Sequence, residues 1–304
     1  MFQNIVAQSR KTLPITAVYT AVMAFLFTAT DSSLWIHFLC ILFTGYVMLL
    51  INNNNALIRI YSRLPSSIFL ILATMVTCLG KSLEANIVQA LFVLHLLMLF
   101  RAYQNKRGMG DVCASFIMLG VASTIFVQVL FFIPFSWLIL MVRMQAPSLK
   151  NFLASIIGLI VPYWFWTAYS INAGDYTRVI DHIFSIATFQ PLCQGIFNPS
   201  LIVNLIFVAL TGLVAIAHFY RYSFRESIRV RMMFYSLILL FLLTLVFLVL
   251  QPVHSPYLLR MLIVTASPIV AHYFTFTKSR VTNWHFIATI IIILLLTVCN
   301  TWML

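Results

Sequence analysis

The chain has 304 residues, 62% of them hydrophobic and only 8% charged, with a mean hydropathy of +1.03 and a formal net charge of +12. A soluble domain is about 45–50% apolar and about 25% charged, so this composition excludes a water-soluble protein. Apolar runs of about twenty residues recur without the alternation of barrel strands. A polytopic, all-α membrane protein is therefore predicted, as a single integral membrane domain over 1–304.

The first predicted span, 13–30, follows Arg10 and Lys11. It is long for a secretory apolar core and lacks a small-x-small cleavage site, so it reads as a retained helix. The stretch FTATDSSLW then carries Asp31, the first of only six acidic residues, ahead of span 34–51. Asp31, Ser32 and Ser33 all suit the N-cap of a helix beginning near Leu34, where a carboxylate satisfies free amides and complements the dipole. Spans 66–80 and 87–101 follow, with Lys81 and Glu84 between them. Spans 112–127 and 130–143 are short for a hydrocarbon core of about 30 Å. They meet at the nearly apolar turn VQVLFF, so 112–143 reads as two spans or as a re-entrant hairpin. Either form leaves both ends on one side.

Span 152–171 contains PYWFWTAY, an aromatic interface belt. In DYTRVIDHIFSIATFQP, Ile180, Ile183 and Phe184 recur at helical period, with Arg178, Asp181 and His182 among them. That pattern predicts a short helix lying in the interface plane, either as a connector or as a lid. Spans 200–219, 234–251, 257–276 and 284–303 complete a set of eleven.

Taking the N-terminus as cytoplasmic, these spans put 15 of the 18 Lys and Arg residues on one side. Only Lys81, Arg178 and Arg260 fall opposite, the asymmetry that the positive-inside rule describes. Cytoplasmic loops facing anionic lipid account for the net charge without nucleic acid. Acids divide the other way, with Asp31, Glu84, Asp175 and Asp181 outside and Asp111 and Glu226 inside. Arg221, Arg225 and Arg229 are spaced i, i+4, i+8 in HFYRYSFRESIRVR, which places them on one helical face as a lipid-headgroup patch. Arg59 and Arg63 repeat the spacing. Arg260, four residues past Pro256, is expected near the outer interface, as a snorkelling side chain or an anion contact.

Complete catalytic motifs are lacking. No HxxxH or HxxH pair, zinc-type cysteine spacing, GxSxG or Walker phosphate loop occurs, so neither a metal nor another cofactor is expected. By the topology His218, His272 and His285 lie nearer the cytoplasmic face and His37, His182 and His254 nearer the outer face. His95, in mid-span, reads as a satisfied core polar group.

The stretches INNNNALIRIYSRLPSSIF, LFRAYQNKRGMGDVCASFIMLGVASTIFVQVLFFIPFSWLILMV, ASIIGLIVPYW and VLQPVH resemble an uncharacterised family of inner-membrane proteins from Bacteroidota. The resemblance covers most of the chain and implies a bacterial inner membrane, with no activity to carry over. A second, architectural likeness is to C-type glycosyltransferases and related polymerases, many of which place an acidic residue in the first outer loop, as Asp31 stands here.

Two functional readings follow. The favoured one is a non-catalytic envelope component, namely a scaffold, assembly subunit or lipid-binding subunit, with membrane lipids and membrane-complex subunits as partners. The alternative is an outer-leaflet enzyme acting on polyprenyl-phosphate-linked sugars. There Asp31 would be the base, Asp181 or His182 would assist, and Arg178, Arg260 and Lys81 would hold the lipid phosphate. A transporter is the remaining class, though no internal repeat supports it.

Overall fold

The computed structural model describes residues 2–28, 34–80, 82–174, 177–188 and 199–302. Every element among the described residues is helical, and none is a strand. This is what apolar runs dictate in lipid, where backbone groups must pair within their own segment. In chain order the helices are α1 (Phe2–Gln8), α2 (Thr12–Thr28), α3 (Leu34–Asn55), α4 (Leu64–Thr77), α5 (Leu83–Arg101), α6 (Met109–Ile125), α7 (Ile133–Leu138), α8 (Leu149–Asn172), α9 (Thr177–Phe184), α10 (Pro199–Tyr222), α11 (Ile228–Leu250), α12 (Ser255–Phe276) and α13 (Arg280–Trp302). Seven of them, α3, α5, α8 and α10 to α13, are long and apolar enough to cross a membrane. The chain is thus an all-helical, multi-pass membrane protein. The remaining apolar stretches, in α2, α4, α6 and Val127–Arg143, are shorter.

Two features depart from the sequence expectation. The second limb of the 112–143 pair is not one continuous helix. VQVLFF forms a 3₁₀ segment (Val127–Phe132), the six-residue α7 follows, and Ile139–Arg143 is a π-helical turn. Pro134 is tolerated in the first turn of α7 because the amide it lacks would have no acceptor inside the helix. The other departure is α1, which precedes the first predicted span.

The chain divides into two compact units, Met1–Asn86 with Ile196–Leu304, and Ile87–Gly195. In the first, α12 is the interior helix and packs against α4, α10 and α11. Every residue from Leu258 to Thr275 is buried, as expected of a helix with no polar face. Pro268 leaves the Val264 carbonyl without its usual amide, and the Ser267 hydroxyl donates to that carbonyl at 3.4 Å. Polar pins tie the outer helices to this core. Asn204 of α10 donates to Asn300 of α13 at 3.2 Å, and Asn300 donates to the Met75 carbonyl of α4 at 3.0 Å.

The second unit is built on the crossing of α6 with α8. A Cβ on Gly158 would stand 2.6 Å from the Cys113 carbonyl oxygen, so only glycine permits this approach. His95 is fully buried nearby, with Nδ1 2.8 Å from the Ser115 hydroxyl and Nε2 3.3 Å from that of Ser136. It is a satisfied core group, as its mid-span position suggested.

Candidate anion-binding site

The arginine-rich stretch HFYRYSFRESIRVR does not continue as one helix. α10 ends at Tyr222, Ser223–Arg225 forms a 3₁₀ turn, and Glu226 is extended. Ser227 then caps α11, its hydroxyl accepting from the Val230 amide at 3.4 Å. The expected single face of Arg221, Arg225 and Arg229 is therefore corrected: the cap and the extended Glu226 interrupt the helical path, and the three lie on separate segments. Arg229, on the first turn of α11, donates to Asn55 Oδ1 at 3.1 Å. Arg221 and Arg225 pack over the Tyr222 ring at 5.9 and 5.2 Å.

Beside this turn lies a cavity of about 860 Å³ within the first unit. Its wall takes Arg221, Tyr222, Arg225 and Glu226 from the α10–α11 turn, and His272 and Tyr273 from the last turns of α12. Arg59, Lys278, the first turn of α13 and, from α1, Asn4 and Gln8 add further polar groups. Among the described residues four lining cations thus stand against one lining carboxylate, Glu226. Ser279 caps α13, accepting from the Thr282 amide at 3.2 Å, so the positive end of that helix also borders the cavity. The C-terminal ends of α10 and α12 oppose this, and Arg221 in the last turn of α10 offsets part of that dipole.

Glu226 organises the floor. It is 8% exposed, its Oε1 lying 3.5 Å from His272 Nε2 and 3.9 Å from Arg59 Nε. The approach of His272 and the Arg59 guanidinium hold its carboxyl below the usual carboxylate range, against burial, which would raise it. Arg59 also donates to the Arg225 carbonyl at 3.2 Å and sits 4.9 Å over the Phe276 ring. These contacts fix one cation of the cavity in place.

His272 is 2% exposed and wedged among Phe219, Phe234 and Phe276. Its Nε2 faces Glu226 Oε1 at 3.5 Å, and its Nδ1 is buried with no hydrogen-bond partner among the described residues. His218 Nδ1 is likewise buried without a partner among the described residues, with its ring against Tyr222 and Tyr273. Buried polar atoms are nearly always paired, so two unpartnered Nδ1 atoms, of His218 and His272, in the wall of a basic cavity point to a ligand or solvent there.

The other sequence candidates lie elsewhere. Asp31 and Lys81 fall outside the described residues. Arg178 and Asp181 are exposed on α9, in the second unit. His182, on the same helix, sets Nε2 2.8 Å from the Ser123 carbonyl and meets the Trp166 ring edge-on at 4.8 Å, which docks α9 on its unit. Arg260 is 1% exposed, with Nε, NH1 and NH2 each donating at 2.7 Å, to Asn86 Oδ1, the Pro256 carbonyl and the Gly80 carbonyl. Among the described residues no group of three His, Cys, Asp or Glu side chains could hold a metal ion.

Sequence reasoning did not join Arg59, Lys278, His218 and His272 to the Arg221–Arg225 segment. The available signal was the topology, which places all of them towards the same end of the helices. Comparison of the chain with protein-family models, with curated proteins and with solved structures gives no match.

Proposed function

We propose that this protein is a non-catalytic, lipid-binding component of a bacterial inner membrane, holding an anionic ligand in the basic cavity. The observation that carries the reading is the gathering of four lining cations around a cavity walled by His218 and His272, whose Nδ1 atoms are buried without a hydrogen-bond partner among the described residues. A guanidinium binds a phosphate as a two-pronged donor, and two such groups, Arg221 and Arg225, flank the opening. The one lining carboxylate among the described residues is turned to Arg59 and His272, which favours binding over acid–base chemistry. In this reading the N-terminus is cytoplasmic and the cavity opens to the cytoplasmic side, as the distribution of Lys and Arg supports. The shorter apolar segments then add to the seven long helices as partial or tilted crossings, for about eleven in all. The bacterial location rests on the sequence resemblance.

The test is lipid and phosphorus analysis of the purified full-length chain. The wild type is expected to retain acidic phospholipid or another phosphate compound at a fixed ratio to protein, and Arg221→Gln/Arg225→Gln to lose it. Equal retention by both would refute the reading.

A further inference from the structure

A second cavity of about 350 Å³ lies in the same unit, lined by other residues of the same helices, and is almost wholly apolar. The partition between them is α1: Asn4, Ala7 and Gln8 face the basic cavity, while Phe2, Ile5 and Val6 face the apolar one. The same helices line both. On α10, Phe207 and Thr211 border the apolar groove and His218 and Arg221 the basic cavity. On α13, Thr282 borders the basic cavity and Phe286, Ile290 and Ile293 the groove. From Thr282 to Ile293 a helix rises roughly 16 Å, at about 1.5 Å per residue. The basic cavity therefore lies at one end of α10 and α13, and the apolar groove farther along the same two helices.

α1 is held in place as a strap. Gln3 is fully buried; its side-chain amide donates to the Phe274 carbonyl and, at 2.9 Å, to Thr277 Oγ1, and its backbone amide donates to Asn283 Oδ1 at 3.0 Å. One residue thus ties the strap to the end of α12 and the start of α13. The groove's rim faces outward through Ile5 and Ile15, 69% and 65% exposed, so a chain could enter sideways from lipid.

We infer that the ligand is an acidic glycerophospholipid, with its phosphate among Arg221, Arg225 and His272 and one acyl chain passing beneath α1 into the groove. This rests on the anion-binding reading above and goes further by requiring head and chain in one molecule. A soluble phosphate would satisfy the basic cavity and leave the groove unexplained. A neutral amphiphile would fill the groove and leave four cations facing one acid.

The experiment uses the delipidated full-length chain in detergent and three probes: lysophosphatidylglycerol, lysophosphatidylcholine and glycerol phosphate. Lysophosphatidylglycerol is expected to bind about tenfold or more tighter than glycerol phosphate, since burying about two methylenes already corresponds to that factor, and tighter than lysophosphatidylcholine, whose choline cation cancels the phosphate charge. Thr211→Phe, which fills the groove, should remove the advantage over glycerol phosphate, and Arg221→Gln/Arg225→Gln the preference over lysophosphatidylcholine. A lysophosphatidylglycerol with a diazirine at the chain end should label 286–293 or 207–211 of the wild type, which keeps the idea testable if Thr211→Phe fails to fold. Equal binding of glycerol phosphate and lysophosphatidylglycerol, or labelling elsewhere, overturns the single-amphiphile inference while leaving anion binding intact. Equal binding of the two lysolipids overturns headgroup selection. Binding of none of the probes overturns both readings.

Discussion

Arg260 Nε donates to Asn86 Oδ1 across 2.7 Å, joining α12 to the start of α5 through two buried side chains. Asn86 reaches onward to His37 Nδ1 of α3 at 3.1 Å, so one asparagine links three helices. Buried charges persist in apolar surroundings only when their donors are matched, and here two backbone carbonyls complete the match. Asn86→Leu should cost about 2 kcal/mol by removing one charge-assisted bond. Arg260→Met should strand three acceptors and cost at least as much. In a double-mutant cycle of detergent unfolding, the pair should lose clearly less than the sum of the singles. Additive losses would mean that the two residues act independently.

The α6–α8 crossing depends on Gly158. Gly158→Ala should destabilise by about 1–3 kcal/mol, because the new methyl meets the backbone of Cys113 rather than a side chain that can move. Gly110→Ala is the matched control, since a Cβ there meets nothing within 4 Å. Thermal unfolding of the two variants side by side checks the prediction, which fails if both melt alike.

Acid should weaken the floor of the basic cavity. The folded-state carboxyl of Glu226 titrates below its ordinary value of 4.5, so its stabilising contribution is present above that value and is lost as pH falls through the folded one. The groups facing it are His272 and Arg59. The midpoint of thermal unfolding should therefore drop below about pH 4.5 in the wild type, and Glu226→Gln should flatten that limb. An unchanged acid limb in the variant would assign the drop to other carboxylates.

Orientation is tested by single-cysteine labelling in intact cells. Arg178→Cys and Lys106→Cys both replace exposed side chains in the second unit. With a cytoplasmic N-terminus, a membrane-impermeant maleimide should label the first in intact spheroplasts and the second only after permeabilisation. The reverse pattern would invert the proposed topology and turn the basic cavity outward.

Much of the helical layout was legible in the sequence because it is governed locally. The long apolar runs fall largely on helical backbone among the described residues, seven of them on helices long enough to cross a membrane, and the period of Ile180, Ile183 and Phe184 located α9. Where local signals competed, the reading erred. The i, i+4, i+8 arginine spacing suggested a continuous face, although Ser227, a strong N-cap residue, stood inside it. In VQVLFF to Arg143, unbroken apolarity concealed a 3₁₀ segment, a short helix and a π turn, since hydropathy does not report hydrogen-bond register.

The sequence by itself determined the class of this protein, because 8% charged residues and recurrent apolar runs leave only helices in lipid. It also carried the asymmetry of basic residues, a property of composition along the chain. Only the tertiary structure decided which polar groups meet. Arg59, Glu226 and His272 are far apart in sequence, and no periodicity brings them to one cavity floor. Arg260 likewise seemed suited to an interface until packing enclosed it with Asn86 and two carbonyls. In both cases the cost of an unpaired charge away from water selects the partners, and those partners come from other helices.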